Sequence, residues 1–385
     1  MPTTIYRKMS MAFLISCCCF AAVAAHERSS DADAIADLGR SLVKPPSSWR
    51  IAGDDVCSFK GISCSSSGRV TAIDLAAMGL AGTLPSSLSS LTALESLQLR
   101  GNALSGAIPP LRFPSLTNLS LDGNAFTSLP EDFPRGMPAL QHVTMDNLPF
   151  LPPWSFPEQA ILAGCPSLRT FSASNASIAG PLTNAIANLK SITTLRLSHN
   201  LLTGVVPPAL GKSASLRDIS LSGNYLQGPV PQFAAGVNAD VVAGNGFCLD
   251  KPGPCDALVA TLLRVAEGFG YPLYLARSWK GNDPCGDYWL GVECYLSSRH
   301  VSTIFLYSVD LSGTISPAIG DLTKLKMLNL ANNSLTGGIP ESLTTLPRLE
   351  VLDVTNNKLT GQVPKFKPYV RVLTDGNAFS PPGSK

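Results

Sequence analysis

The sequence has 385 residues, of which 45% are hydrophobic and 15% charged, and this composition is that of a folded protein rather than a disordered one. Its 29 basic and 27 acidic residues give a formal charge of +2, and neither sign forms a long run. We therefore expect no nucleic-acid partner and no attraction to a membrane through a polybasic segment.

A secretory signal peptide is predicted over residues 1–25. Arg7 and Lys8 provide its basic start, residues 9–23 are apolar, and small residues at 22–25 provide a cleavage site. The rival interpretation is a membrane anchor, but the apolar stretch is shorter than the ~20 residues that span a bilayer. We therefore expect the protein to enter the secretory pathway.

The next predicted element is an N-terminal cap over residues 26–69, and part of its sequence occurs twice. SWRIAGDDVCSFKGISC begins at Ser48, and the similar SWKGNDPCGDYWLGVEC begins at Ser278. Each copy follows a segment whose apolar residues fall on one helical face, at residues 31–42 and 255–272. In the second of these segments, Asp256 is positioned as a helix N-cap.

Six of the seven cysteines beyond the signal peptide form close sequence pairs: Cys57 with Cys64, Cys248 with Cys255, and Cys285 with Cys294. Because the secretory route is oxidising, these pairs predict disulfides. Zinc coordination is the rival interpretation, but no two pairs have the spacing of a zinc finger. For the remaining Cys165, a buried and inert thiol is favoured over a reactive one.

A repeated pattern, LxxLxLxxNxLxGxIP, fills most of the chain, as in LESLQLRGNALSGAIP from Leu94. Copies start at residues 70, 94, 116, 140, 168, 192 and 216, and again at 301, 325 and 349. This is the plant-type leucine-rich repeat. The copies form a first block of seven repeats (70–237) and a second block of three (301–370), separated by a non-repeat island with the second cap (238–300) and followed by a C-terminal closure and tail (371–385).

Each residue type in the pattern has a structural role. The leucines point inward from a short strand, and stacked copies share one core, which must be covered at its end. The asparagines are predicted to hydrogen-bond the backbone of their own and the neighbouring coil; they are Asn102, Asn124, Asn200, Asn224, Asn333 and Asn357. The sequence therefore predicts an α/β repeat fold. It is a leucine-rich-repeat solenoid in two blocks, with short parallel strands on the concave face, an irregular or 3-10-helical convex side, and helical disulfide caps.

No pattern in the sequence indicates catalysis. The histidines at 26, 142, 199 and 300 are scattered, and no Cys/His ligand cluster occurs. A phosphate-binding GxxxxGK[ST] loop, the kinase motif set and a spaced pair of glycosidase carboxylates are likewise missing from the sequence. We expect no enzyme activity, no cofactor and no metal.

A binding surface is predicted on the concave face, at the variable strand positions. In the first block these positions are small and polar, whereas in the second they carry Phe305, Tyr307, Met327 and Val351. Large apolar side chains on an open face indicate a contact site. The alternative is that the island or its cap folds over them. Three glycosylation sequons, at Asn118, Asn175 and Asn332, are consistent with passage through the secretory route.

The stretches NGFCLDKPGPCD, LARSWKGNDPC and SGTISPAIG, with the island that contains the first two, resemble one group of proteins. They are similar to the extracellular part of the transmembrane-kinase (TMK) family of plant leucine-rich-repeat receptor kinases. The resemblance covers residues 33–379, and its structural motifs correspond to the cysteine pairs 248/255 and 285/294 and to Trp279. It implies auxin signalling at the plasma membrane and docking of secreted cupin-type auxin-binding proteins.

The sequence ends at SPPGSK without an apolar span or a kinase, so a receptor ectodomain truncated before the membrane, or a soluble competitor of full-length receptors, is expected. The expected partners are a secreted protein or peptide, a cupin-type auxin-binding protein among them, and full-length receptor kinases. The expected location is the apoplast, or the plasma membrane if the chain is an incomplete receptor. The alternative function is an apoplastic defence protein that inhibits a pathogen cell-wall-degrading enzyme such as a polygalacturonase.

Overall fold

The computed structural model describes residues 30–49, 55–295 and 299–380, so the predicted signal peptide lies outside the described residues. Within the described chain there are two compact units. The first contains the residues up to Pro152 together with Pro157–Ser177 and Ser191–Leu195. The second contains Pro153–Phe156, Ile178–Lys190 and the chain from Arg196 onward.

The first unit begins with the N-terminal cap. Its helix α1 covers residues 30–41, and a 3-10 turn follows at Val56–Ser58. The buried carboxylate of Asp31 accepts hydrogen bonds from the Arg69 guanidinium at 2.9 Å and from the Val70 amide at 2.9 Å. This contact fixes the helix to the first strand of the repeats.

The remainder of the first unit is a stack of coils. The strand Ile62–Cys64 pairs antiparallel with Val70–Asp74, and the strands that follow are parallel: Ser96–Gln98, Asn118–Ser120, His142–Thr144 and Thr170–Ser172. The opposite side carries a 3-10 helix, a helix α2 and a three-stranded sheet: Ser86–Ser90, Glu158–Gly164, and Ala81–Gly82, Ala103–Ala107 and Ala125–Ser128. The strand Thr194–Arg196 lies where the two units divide.

The second unit contains further coils, the island and a separate second sheet. Its first coils have the strands Asp218–Ser220 and Asn238–Asp240, the 3-10 helix Asn184–Asn188 and the short helix α3, Pro208–Gly211. On the far side of these coils lies a four-stranded parallel sheet: Ala179–Pro181, Leu201–Val205, Tyr225–Gly228 and Gly246–Phe247.

The second sheet has five strands: Val292–Cys294, Val301–Phe305, Met327–Asn329, Val351–Asp353 and Arg371–Leu373. The first pair is antiparallel and the others are parallel. The other side of these coils has the 3-10 helices Pro317–Asp321 and Glu341–Thr345 and the strand pair Thr360–Gly361 and Ala378–Phe379.

The island contributes two helices, α4 at Ala257–Gly268 and α5 at Leu273–Ser278. The carboxylate of Asp256 caps α4 by accepting a hydrogen bond from the Leu258 amide at 2.8 Å, as predicted. α4 ends where Gly270 adopts a left-handed φ of 71°. Its buried side chains, Leu262 and Val265 among them, join the core cluster of the second block. The island therefore seals that core.

The predicted asparagine hydrogen bonds are present and hold successive coils together. We call this row of asparagines the ladder, and the equivalent position in each coil the ladder position. The Asn333 amide nitrogen donates to the carbonyls of Leu306 at 2.7 Å and Leu330 at 2.9 Å, and its oxygen accepts from the Leu311 amide at 3.0 Å. Asn124 and Asn224 make the same three contacts in their own coils. Each side chain satisfies backbone groups that the turn would otherwise leave unpaired.

One further row was not predicted from the pattern. The residue before each ladder position has a left-handed φ between 53° and 75°. The row consists of Ala77, Gly101, Gly123, Asn147, Asn175, His199, Gly223, Gly244, Ser308, Asn332, Asn356 and Gly376. Every coil thus leaves its strand through the same left-handed turn.

The structure confirms the predicted fold class, with short parallel strands, few helices and disulfide-linked caps. It also extends each block by one coil. The strand Asn238–Asp240 pairs with Asp218–Ser220, and Asn245 makes ladder hydrogen bonds to Leu221 and Val241. Likewise, Arg371–Leu373 joins the second sheet. The coils therefore run past the predicted boundaries at 237 and 370, because the closing sequences keep the ladder asparagine although they lack the leucines.

Candidate ligand-binding surface

The two caps have the same internal construction. The Trp49 indole nitrogen donates to the Lys60 carbonyl at 3.0 Å, and Trp279 donates to the Leu290 carbonyl at 2.9 Å. An aromatic ring stacks on each tryptophan, Phe59 at 5.8 Å and Trp289 at 5.3 Å between ring centroids. The duplicated sequence therefore encodes a duplicated local structure.

The six paired cysteines form disulfides in the predicted pairs, 57 with 64, 248 with 255, and 285 with 294. Cys165 is buried, as predicted, and burial raises the pKa of its thiol to about 11.

In the second cap, the Arg299 guanidinium and the Gly286 amide hydrogen-bond to the Asp283 carboxylate and lower its pKa. Groups of three or more side chains suited to a metal ion do not occur among the described residues.

The candidate surface is the face of the second sheet that points away from its leucine core. Side chains alternate along the strand Val301–Phe305 and its continuation, so Ile304 and Leu306 are buried while Phe305 and Tyr307 point the other way. Phe305, Met327 and Val351 are half-buried, and 55% of Tyr307 is exposed. The structure thus brings all four predicted side chains to one sheet.

The strand register divides these side chains among rows. Met327 lies directly beside Thr303 on one side and Val351 on the other. Phe305 lies two residues further along its strand, beside Asn329. Tyr307 follows Phe305, beyond the last paired residue of that strand. The four side chains therefore cover an area of the sheet rather than one line.

The helices of the island do not take these four side chains into the core. The core cluster that contains α4 and α5 residues includes Ile304, Leu328 and Leu352, which lie on the opposite face of the same strands. Within the described chain, that cluster and the apolar side chains packed against it do not include Phe305, Tyr307, Met327 or Val351. This arrangement favours a contact surface over a covered one.

The polar face of the first unit is arranged differently. The Asp122 carboxylate accepts from the Asp146 amide at 2.7 Å and from the Thr144 hydroxyl at 2.5 Å. Asp146 in turn accepts from the Ser174 amide at 2.6 Å. These carboxylates accept hydrogen bonds from backbone and hydroxyl donors of the neighbouring coil, so their role is structural.

The sequons lie at the strands and at the turns that follow them. Asn118 is half-buried in its strand, where its amide donates to the Thr117 hydroxyl at 2.9 Å. Asn175 and Asn332 are exposed residues of the left-handed row, and each hydrogen-bonds another asparagine of that row. Glycosylation at all three asparagines stays a prediction.

Comparison with known families agrees with this construction. The model described as a leucine-rich repeat N-terminal domain matches residues 28–65 and matches again at 259–295. Models described as leucine-rich repeats match residues 191–213 and 323–367. The chain is therefore a leucine-rich-repeat protein that carries two caps of the N-terminal type.

Its homologues are plant receptor kinases. The chain is 48% identical to the receptor protein kinase WSS1 of Oryza sativa subsp. japonica, over 93% of this chain and 47% of that protein. It is 34% identical to the receptor-like kinase TMK2 of Arabidopsis thaliana, over 80% of this chain and 43% of that protein. The chain thus spans about half the length of these relatives. The predicted resemblance to plant receptor kinases, TMK2 among them, is confirmed.

A solved structure has the same fold. It is the leucine-rich-repeat ectodomain of the receptor kinase GASSHO1/SCHENGEN3 from Arabidopsis thaliana, in complex with CASPARIAN STRIP INTEGRITY FACTOR 2. The TM-score is 0.51 at 20% identity, over 92% of this chain and 42% of that chain. None of the helices in the described part of our chain has the length and apolar character that a membrane crossing requires.

Proposed function

We propose that this chain is an extracellular ligand-binding module that binds a secreted protein or peptide on the face of its second sheet that points away from the leucine core. Three disulfides are the bonds of a protein that folds in an oxidising compartment, which supports a location in the secretory pathway or at the cell surface. Homologous receptor kinases and a structural relative solved with a bound factor support a role in recognition.

The group of apolar side chains that lies on the second sheet outside its core carries this proposal. Phe305, Tyr307, Met327 and Val351 lie on one face and outside the core cluster. Aromatic side chains at the centre of an interface contribute a large share of its binding energy. Single exposed apolar side chains are common on folded proteins, but several of them grouped on one sheet face indicate a contact site for a partner.

The resemblance to the TMK family narrows the proposal to auxin signalling. The partner would then be a secreted, cupin-type auxin-binding protein, and full-length receptor kinases would be further partners in a signalling complex. These assignments rest on the resemblance and on the 34% identity to TMK2.

The test is to measure the affinity of the secreted chain for a purified cupin-type auxin-binding protein by biolayer interferometry. We expect the double variant Phe305→Ser/Tyr307→Ser to bind at least about tenfold more weakly, the loss typical of interface aromatics. Its melting temperature should stay near the wild-type value, since neither side chain belongs to the core cluster.

Two other exposed aromatics provide the matched control, Phe150 at 64% and Tyr288 at 87% exposure. The variant Phe150→Ser/Tyr288→Ser should bind as the wild type does. Unchanged binding by the Phe305/Tyr307 variant would place the interface elsewhere, and failure of that variant to fold would make the two residues structural. Binding to a polygalacturonase, without binding to the cupin protein, would support the defence inhibitor instead.

A further inference from the structure

One line of side chains crosses the whole second sheet, and the strand register fixes its order. Each residue in the line is the direct cross-strand neighbour of the next. We call this line the cross-strand row, and it consists of Glu293, Thr303, Met327, Val351 and Arg371. The row begins with an acid, passes over two apolar side chains and ends with a base.

Both charged ends of the row are open to a partner. Glu293 and Arg371 are exposed, and across the residues that the structure describes neither side chain forms an ion pair. The neighbouring charges are already occupied. Lys326 and Glu350 pair with each other at 3.4 Å, and Asp353 accepts from the Thr355 amide and hydroxyl at 3.0 and 2.8 Å. The two ends therefore provide the unpaired charges of this row.

The length of the row suits a short extended peptide. Four steps between strands of ~4.8 Å each separate the backbones of Glu293 and Arg371 by about 19 Å. An extended chain advances ~3.3 Å per residue, so it covers this distance in about six residues. A peptide laid across the strands would therefore place two residues, six positions apart, at the two ends.

We propose that the cross-strand row binds an extended peptide segment with a basic side chain at Glu293, apolar side chains over Met327 and Val351, and an acidic side chain at Arg371. The inference rests on the proposed function, since it defines the partner of the same sheet. It goes beyond that function because it assigns the partner's charge order and spacing. Phe305 and Tyr307 lie alongside the row and contact the peptide's further apolar residues.

The test uses three fluorescent 12-residue peptides with blocked termini and the same apolar residues. The first has Lys and Asp six positions apart, the second has Asp at both of those positions, and the third has Lys and Asp adjacent. An exposed ion pair changes binding by about two- to fivefold. The third peptide can form only one of the two pairs at a time, so we expect the first peptide to bind about two- to fivefold more tightly than the third. In the second peptide a repulsion replaces the pair at Glu293, so the first peptide should bind about tenfold more tightly than the second.

Charge reversal checks the assignment of each end. In the variant Glu293→Lys both ends are basic, so the peptide with two Asp residues should become the tightest binder. Adding Arg371→Glu reverses the row and should restore the preference for Lys and Asp six apart, with the peptide running the other way. The matched control Glu341→Lys/Lys365→Glu reverses two exposed charges outside the row and should leave the order of affinities unchanged.

The results of these experiments distinguish a failure of the cross-strand row from a failure of the proposed ligand-binding function. Equal affinity for the three peptides, no measurable binding of any of them, or an unchanged order in Glu293→Lys would overturn the cross-strand row. If the Phe305→Ser/Tyr307→Ser variant still bound the cupin-type protein more weakly in that case, the proposed function would stand without the cross-strand row. If that variant kept its affinity for the protein while the charge variants behaved as expected, the row would stand and the aromatic contact would be wrong.

Discussion

Removal of the disulfide in the second cap should destabilise the second block more than any other part of the chain. Cys285 and Cys294 are 9 residues apart, and the loop between them contains Trp289, which stacks on the fully buried Trp279. Closing a loop of this length removes unfolded-state entropy worth about 2.6 kcal/mol at 25 °C. The variant Cys285→Ser/Cys294→Ser should lose about that much of the free energy of unfolding, because the cap covers the first coil of a short stack.

Native-state hydrogen exchange, resolved by peptide, is the assay. We expect the free energy of opening for residues 301–370 to fall by about 2.6 kcal/mol. The variant Cys57→Ser/Cys64→Ser is the matched control, since it breaks the same staple in the other cap. It should weaken protection in residues 70–99 and leave 301–370 unchanged. Equal protection of 301–370 with and without the Cys285–Cys294 bond would refute the view that this cap seals the second block.

Three shorter predictions follow from single residues. Gly291→Ala should cost at least about 2 kcal/mol in urea unfolding, because its Cβ would lie 2.4 Å from the Phe305 carbonyl at a φ of 73°. Gly361→Ala, with a φ of 81° and nothing within 4 Å, should cost only about 1 kcal/mol. Asn333→Ala should cost about 2 kcal/mol by the same measurement, since it leaves part-buried backbone carbonyls unpaired. Iodoacetamide should label Cys165 in urea but not in the folded protein at pH 8, because the folded thiol is buried. Burial also keeps the pKa of the folded thiol above that of the unfolded one, so the free energy of unfolding should fall as the pH rises from about 9 towards 11.

The fold was predictable because its determinants are local and repeated. The leucines of the strands and the ladder asparagines recur at fixed offsets, so one coil predicts the next. The duplicated Ser-Trp and cysteine segments indicated two caps, and the structure pairs their cysteines as the spacing predicts. The left-handed row also had a signal, since glycine or asparagine precedes most ladder positions, but its meaning depends on backbone angles that a leucine pattern does not specify.

The candidate surface was predictable only in part. Its four apolar side chains follow from strand positions, but their division among rows follows from the register between strands. Glu293 enters the cross-strand row through an antiparallel pairing with a register shift, and Arg371 enters it through a closing strand that lacks the leucine pattern. Neither residue carries a repeat signal, so their positions at the two ends of one row became apparent only from the paired strands.

The most direct test of the account is hydrogen–deuterium exchange of the chain with and without a bound cupin-type auxin-binding protein. We predict protection in the strand segments 301–309, 325–331 and 349–355, and unchanged exchange in the polar strands at 118–124 and 142–148. Protection of those polar strands, with 301–309 and 325–331 unaffected, would contradict a binding surface on the second sheet.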